Sequence, residues 1–171
     1  MDDMQMRTWA EVDLSDLEHN YRALRGLLPR DCRFLGVVKA NAYGHGAVPV
    51  AMRLEALGAE YLAVACLEEA GELRSAGIQT PILILGATPA ADAPRLLELE
   101  VTQAVGDLET AQALSRAAQA AGKRLKVHLK ADTGMSRLGF LCDETHLSRA
   151  AEEMARAAVL PGLEAEGIFT H

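Results

Sequence analysis

The chain reads as an α/β protein built on a parallel sheet, and three observations lead there. From Asp31 onward, short apolar runs alternate with longer amphipathic segments. The runs have strand character and the segments between them are rich in Ala, Leu, Glu and Arg, as successive βαβ units require. Half of the 171 residues are hydrophobic, enough for one domain with a sizeable core.

Taken in order, residues 7–13 (RTWAEVD) look like a separate strand ahead of the first unit. Ser15 then opens a helix with the capping-box spacing Ser15 to Glu18, and Leu14, Leu17, Tyr21, Leu24 and Leu28 fall at helical intervals. Six strands are expected at 34–38 (FLGVV), 61–66 (YLAVAC), 81–85 (PILIL), 101–105 (VTQAV), 124–130 (RLKVHLK) and 163–169 (LEAEGIF). Helices are expected between them at 47–57, 66–75, 92–99, 107–121 and 143–158. Gly58, Gly77 and Gly122 follow three of these, where helix C-caps belong. About six βα-like units leave two architectures, an open doubly wound sheet or part of a (β/α)8 barrel. A complete barrel typically needs about 250 residues, so on the barrel reading the chain is a fragment with an unpaired sheet edge.

Charge and cysteine usage exclude several function classes. The net charge of −7, from 24 acidic against 17 basic residues spread along the chain, argues against a nucleic-acid surface. Cys32, Cys66 and Cys142 stand far apart without a CxxC pair, which suggests neither a disulfide framework nor a cysteine zinc site, and no metal is expected. The start lacks the pattern of a secretory leader, and no apolar run approaches the roughly 20 residues that span a bilayer. A cytoplasmic protein without membrane contact is expected.

Residues 36–46 read GVVKANAYGHG, with Lys39 directly after an apolar run, at the strand end where ligands of α/β folds bind. A lysine that forms a Schiff base must be partly desolvated, so that some neutral amine exists at working pH. Small neighbours such as Ala40, Ala42, Gly44 and Gly46 leave room for a cofactor near the backbone, and Tyr43 adds a phenol. Taken alone, Lys39 reads equally well as a surface lysine and Tyr43 as a loop aromatic. In 126–130, period-two alternation puts Lys126, His128 and Lys130 on one strand face, which points to a site or a polar network there. Arg137 has Asp132 as a nearby partner in sequence, while Glu68 and Glu69 read as solvated charges in the first turn of a helix.

The string VVKANAYGHG at 37–46 resembles the pyridoxal-phosphate attachment motif of bacterial alanine racemases. HLKADTGMSRLGF at 128–140 and GIFTH at 167–171 resemble two further blocks of that family, in the same order. The resemblance implies a (β/α)8 barrel of the alanine racemase type, here incomplete. Residues 1–14 would hold an N-terminal strand that pairs with a C-terminal β-domain, and residues 15–171 the N-terminal part of a barrel that binds pyridoxal 5′-phosphate. The rest of the barrel and the β-domain would be absent.

By the same resemblance, Lys39 holds the cofactor and acts as the base on one face of the substrate Cα. Tyr43 would hydrogen-bond the cofactor phosphate, and Arg137 would lie beside the pyridoxal phenolic oxygen and help hold the substrate carboxylate. Lys130 matches a lysine often carbamylated in the family, His171 one that packs on the pyridine ring, and Leu85 an apolar wall. The implied activity is interconversion of L- and D-alanine for cell-wall precursors, in a homodimer whose partner subunit supplies the second base. A serine-acting racemase of the same family and a non-catalytic pyridoxal-phosphate-binding barrel are the alternatives.

Overall fold

Apolar residues on the strands divide between two faces, and that division decides the architecture. In the computed structural model, which describes residues 8–171, the sheet comprises β1 (Leu35–Val37), β2 (Tyr61–Val64), β3 (Ile82–Ile84), β4 (Thr102–Val105), β5 (Leu125–Asp132), β6 (Phe140–Leu141) and β7 (Leu163–Thr170). Every ladder is parallel, and β1 to β5 lie side by side in chain order. β7 pairs along Leu125–Ala131, so the two-residue β6 takes the other edge of β5 at Ala131 and Asp132, beyond the end of β4.

A doubly wound sheet reverses its strand order and carries helices on both faces. Neither holds here. Leu62, Val64, Ile82, Ile84, Val105, Leu125, Val127 and Leu129 join the helices in one large core, while Ala63, Leu83 and Ala104 form a separate cluster with only Tyr61, Leu85 and Phe169. Helices cover one face and the other is concave, which makes the sheet an arc of barrel wall. Among the described residues no ladder joins β1 to β7, and these strands end the arc.

The helices follow the sequence with instructive offsets. They are α1 (Leu14–Leu27), α2 (Lys39–Tyr43), α3 (Ala47–Ala56), α4 (Leu67–Ser75), α5 (Ala93–Glu98), α6 (Leu108–Ala120) and α7 (Leu147–Ala158), with a 3-10 turn at Ala90–Asp92. The cap of α1 is Asp13 rather than Ser15, because the Asp13 carboxylate accepts the Ser15 amide at 2.7 Å. Glu18 does not turn back to a Ser15 amide; it pairs with Arg22 and Arg53. Residues 8–13 form no strand within this chain, and residues 1–7 of the expected N-terminal segment lie outside the described residues.

α7 starts four residues later than expected. The Asp143 carboxylate gathers the amides of Thr145 and His146 and the Thr145 hydroxyl, and this local turn competes with helix. The Thr145 hydroxyl first, then the His146 ring and these two amides, hold the Asp143 carboxyl down at about 2. Alanines let the helices lie close on the sheet: Ala51, Ala70, Ala111, Ala118 and Ala157 are fully buried. Gly58, Gly77 and Gly122 do stand just past helix ends with positive φ. Among the described residues no helix is long and apolar enough to cross a membrane.

Candidate functional site

Lys39 leaves β1 into a backbone that L-residues avoid. Ala40, Asn41, Ala42 and Tyr43 have φ of 51°, 54°, 50° and 55°, so α2 is a turn of left-handed helix. Each such residue costs about 1–2 kcal/mol relative to the right-handed form, less for Asn, and persists only where its surroundings over-determine it. The Ala42 amide bonds Val38 O at 2.9 Å, the Gly44 and Gly46 amides bond Asn41 O at 3.0 Å, and the Ala47 amide opening α3 donates to Asn41 Oδ1 at 2.8 Å. Glu69, in the first turn of α4, accepts the Ala40 amide on one oxygen and the Ala65 amide on the other, both at 2.7 Å. Its reading as a solvated charge is therefore corrected: both oxygens are engaged by backbone.

Opposite this turn stands the loop between β5 and β6. Asp132 is buried, and its carboxylate accepts the amides of Gly134, Ser136 and Arg137 at 3.0, 2.9 and 3.1 Å. Asp132 takes the main-chain amide of Arg137 rather than its guanidinium, which is left to line the cavity described below. These amides, Ser136 first, hold the Asp132 carboxyl below its ordinary value. A lowered folded pKa contributes stability above the unfolded value of about 3.9 that is lost as pH falls through the folded value. In an acid titration followed by NMR, the Gly134, Ser136 and Arg137 amides should therefore shift together with a midpoint below about 3.9. A midpoint at or above that value would show that the carboxylate does not organise the loop.

Along the concave face the expected polar stripe of β5 is present and splits by level. At the lower end, Lys126 donates to Glu166 at 2.6 Å, and Tyr61 Oη lies 2.5 Å from Thr102 Oγ1. A register shift in the β5–β7 ladder leaves Glu166 unpaired between Ala165 and Gly167, and its carboxylate also accepts from Tyr61 and Thr102. Burial opposes its charge, but the hydrogen bond and charge of Lys126 outweigh that and lower its pKa. Above this network, His128 packs between Tyr61 and Phe169, with ring centroids 5.7 and 6.3 Å away, and burial lowers its pKa.

The upper end opens into a cavity of about 600 Å³ at the carboxyl ends of the strands. Lys39, Tyr43, Leu85, Lys130, Arg137 and His171, all six of the residues expected from sequence, line it. Lys39 Nζ lies 5.9 Å from the centre of the Tyr43 ring, and Lys130 Nζ lies 5.9 Å from that of Phe169. Tyr43, Arg137 and His171 are exposed, whereas Lys130 is 6% exposed. Burial first, then the charges of Arg137 and Lys39, hold the Lys130 ammonium below its usual range, with Asp132 opposing. None of the ion pairs among the described residues involves Lys39, Lys130 or Arg137. The cavity therefore gathers an excess of positive charge beside apolar walls, which suits an anionic compound of modest size.

Sequence reasoning missed Glu69 and Phe169 as parts of this site. Two adjacent acids in a first helical turn look alike in sequence, and only the fold shows which one faces the Lys39 turn. Phe169 sat inside an expected strand with no sign of which face it took.

Residues 12–171 match a family described as alanine racemase, N-terminal domain. Among curated relatives, alanine racemase 2 of Caldanaerobacter subterraneus subsp. tengcongensis is 45% identical over 164 residues, 96% of this chain and 41% of that protein. Alanine racemase of Desulfovibrio desulfuricans is 47% identical over 163 residues, 95% of this chain and 43% of that protein. This chain thus spans about two-fifths of the length of these relatives. Alanine racemase of Clostridium difficile 630, solved in complex with cycloserine, superposes with a TM-score of 0.91 at 41% identity, covering 99% of this chain and 45% of that one. Histidine racemase of Leuconostoc mesenteroides superposes with a TM-score of 0.78 at 30% identity, over 92% of this chain and 41% of the other.

Proposed function

The chain belongs to the alanine racemase N-terminal-domain family, and from that premise we propose that it is the cofactor-bearing part of a racemase interconverting L- and D-alanine with pyridoxal 5′-phosphate. The observation that carries the reading is the meeting of Lys39, Tyr43, Leu85, Lys130, Arg137 and His171 around one cavity at the strand ends. The donor set fits this cofactor. Three cations without carboxylate partners suit its phosphate and phenolate, and the lysine at the mouth suits its aldehyde.

When bound, pyridoxal phosphate supplies an aldehyde carbon for imine formation and an electron sink for the charge left when Cα loses its proton. Lys39 would hold the cofactor and, once its amine is released, take or return that proton on one face. Tyr43 would hydrogen-bond the phosphate, and Arg137 would hold the phenolic oxygen and the substrate carboxylate. His171 would lie against the ring and Leu85 would close the pocket with an apolar wall. Addition of carbon dioxide to the neutral amine of Lys130 would form an Nζ–C bond, release one proton and place a carboxylate near Arg137. The depressed pKa of that buried amine supports this step. The reading also includes a homodimer whose partner subunit supplies the second base, a cytoplasmic location, and D-alanine destined for the cell wall.

The chain has four lysines, Lys39, Lys123, Lys126 and Lys130, which makes a direct test simple. Incubation with pyridoxal phosphate, borohydride reduction, intact mass and peptide mapping should give one reduced-cofactor mass per chain, on Lys39. Label scattered over the four lysines and the amino terminus, or no label, would overturn the reading.

A further inference from the structure

We propose that Glu69 is the positioning residue of Lys39, a role that rests on Lys39 being the lysine that holds the cofactor. Apart from the ladder bond of the Val38 amide to Ala63 O at 2.8 Å, just before Lys39, the hydrogen bonds of the α2 segment other than those of Glu69 are local, made among residues 38–47. Glu69 is different in kind. One oxygen takes the amide of Ala40, the residue that follows Lys39 and the first of the left-handed series. The other takes the amide of Ala65, just past the end of β2. A single carboxylate therefore bridges the ends of two neighbouring strands, and it does so from α4, which is itself packed on the sheet through buried Ala70 and Leu73.

The bridge makes a specific demand on chemistry. Both partners are N–H donors, so the bridging side chain must offer two acceptors at once, which a carboxylate does and a carboxamide does not. Its reach also matters, because the donors belong to different strands. Without the bridge, Ala40 has no tie to the neighbouring strand, and its strained φ loses the contact that fixes where the Lys39 side chain departs. Glu68, one residue earlier, gives the internal comparison. It shares the first turn of α4 and the same charge, but its side chain is exposed and accepts from Cys66 rather than from the Lys39 turn.

The test compares the unaltered chain with Glu69→Gln, Glu69→Asp and Glu68→Gln. Two quantities are read on each: amide hydrogen exchange at Ala40 and Ala65, and the rate of borohydride-trapped labelling by pyridoxal phosphate at each lysine. Glu69→Gln keeps one acceptor, and Glu69→Asp keeps the charge but shortens the reach. Both should speed exchange at one or both amides and slow Lys39 labelling about tenfold, the equivalent of about 1.4 kcal/mol. Lys123 and Lys126 should stay unlabelled, as in the unaltered chain, whereas a general loss of folding would scatter label onto them. Glu68→Gln should behave as the unaltered chain does. Unchanged Lys39 labelling in both Glu69 variants, beside a normally labelled parent, overturns the proposal alone. A parent chain that does not label Lys39 removes the cofactor reading and the proposal with it, while the exchange data still report whether the bridge exists.

Discussion

Lys39→Ala should abolish the borohydride-trapped adduct altogether, without passing it to another amine. The competing site is Lys130, which lines the same cavity and whose pKa burial depresses, which favours its nucleophilic form. Access argues the other way. Lys130 is 6% exposed and its ammonium lies near the face of Phe169, whereas Lys39 is half-buried on a turn fixed by hydrogen bonds at the cavity mouth. Covalent capture needs the amine to approach the aldehyde carbon at the right angle, and this positional requirement decides against Lys130. The variant should fold normally, with a stability change within about 0.5 kcal/mol, because Lys39 makes no ion pair among the described residues. Peptide mapping decides the matter. An adduct appearing on Lys130 would show that the pocket selects a neutral amine rather than a placed one.

Gly162→Ala should cost about 3 kcal/mol of folding stability. Gly162 precedes β7 and lies flat against α6, where a Cβ would overlap the carbonyl of Ser115. That atom is helix backbone, so no side-chain rotation relieves the overlap. The segment is pinned as well: the Gly162 amide donates to Ser115 Oγ at 3.0 Å, and the Leu125 amide donates to Gly162 O at 2.9 Å. Either α6 or the start of β7 must move, and both border the fully buried Leu114, Ala118 and Leu163. Urea denaturation should show a lower midpoint with an unchanged slope. A loss under about 1 kcal/mol would mean that the turn before β7 yields more easily than its hydrogen bonds imply.

Much of the fold was legible from pattern because the helices pack on one face only. Strands such as Ile82–Ile84 are apolar throughout, and α6 buries Ala111, Leu114, Ser115 and Ala118 at helical spacing. Pattern did not show the choice between barrel and open sheet, which the resemblance at 37–46, 128–140 and 167–171 supplied, since that choice depends on whether strand order reverses and on which face the helices take. Neither leaves a periodic mark. β6 is two residues long, too short for any pattern. The start of α7 moved because the side chain of Asp143 bonds backbone amides ahead of the helix, which apolar spacing does not register.

At the candidate site, residue types were readable and backbone shape was not. Positive φ is usually signalled by glycine, yet Ala40, Asn41, Ala42 and Tyr43 adopt it while Gly44 and Gly46 only finish the turn. Composition says little about a strained segment when the restraint comes from Glu69, many residues away. Lys126, His128 and Lys130 were correctly assigned one face, but their separation into a paired lower lysine, a middle ring stacked between aromatics and an unpaired upper lysine depends on what β2, β4 and β7 bring opposite them.

The small cluster of Ala63, Leu83 and Ala104 on the concave face lies between the Lys126–Glu166 network below and the cationic cavity above. It works as a partial septum. Packed hydrocarbon separates the two levels except on β5, where the half-buried His128 ring stands between them and feels the charge of Glu166. Rewriting the lower network for solubility or heat resistance would therefore reach the chemistry at the top by one route, through that ring.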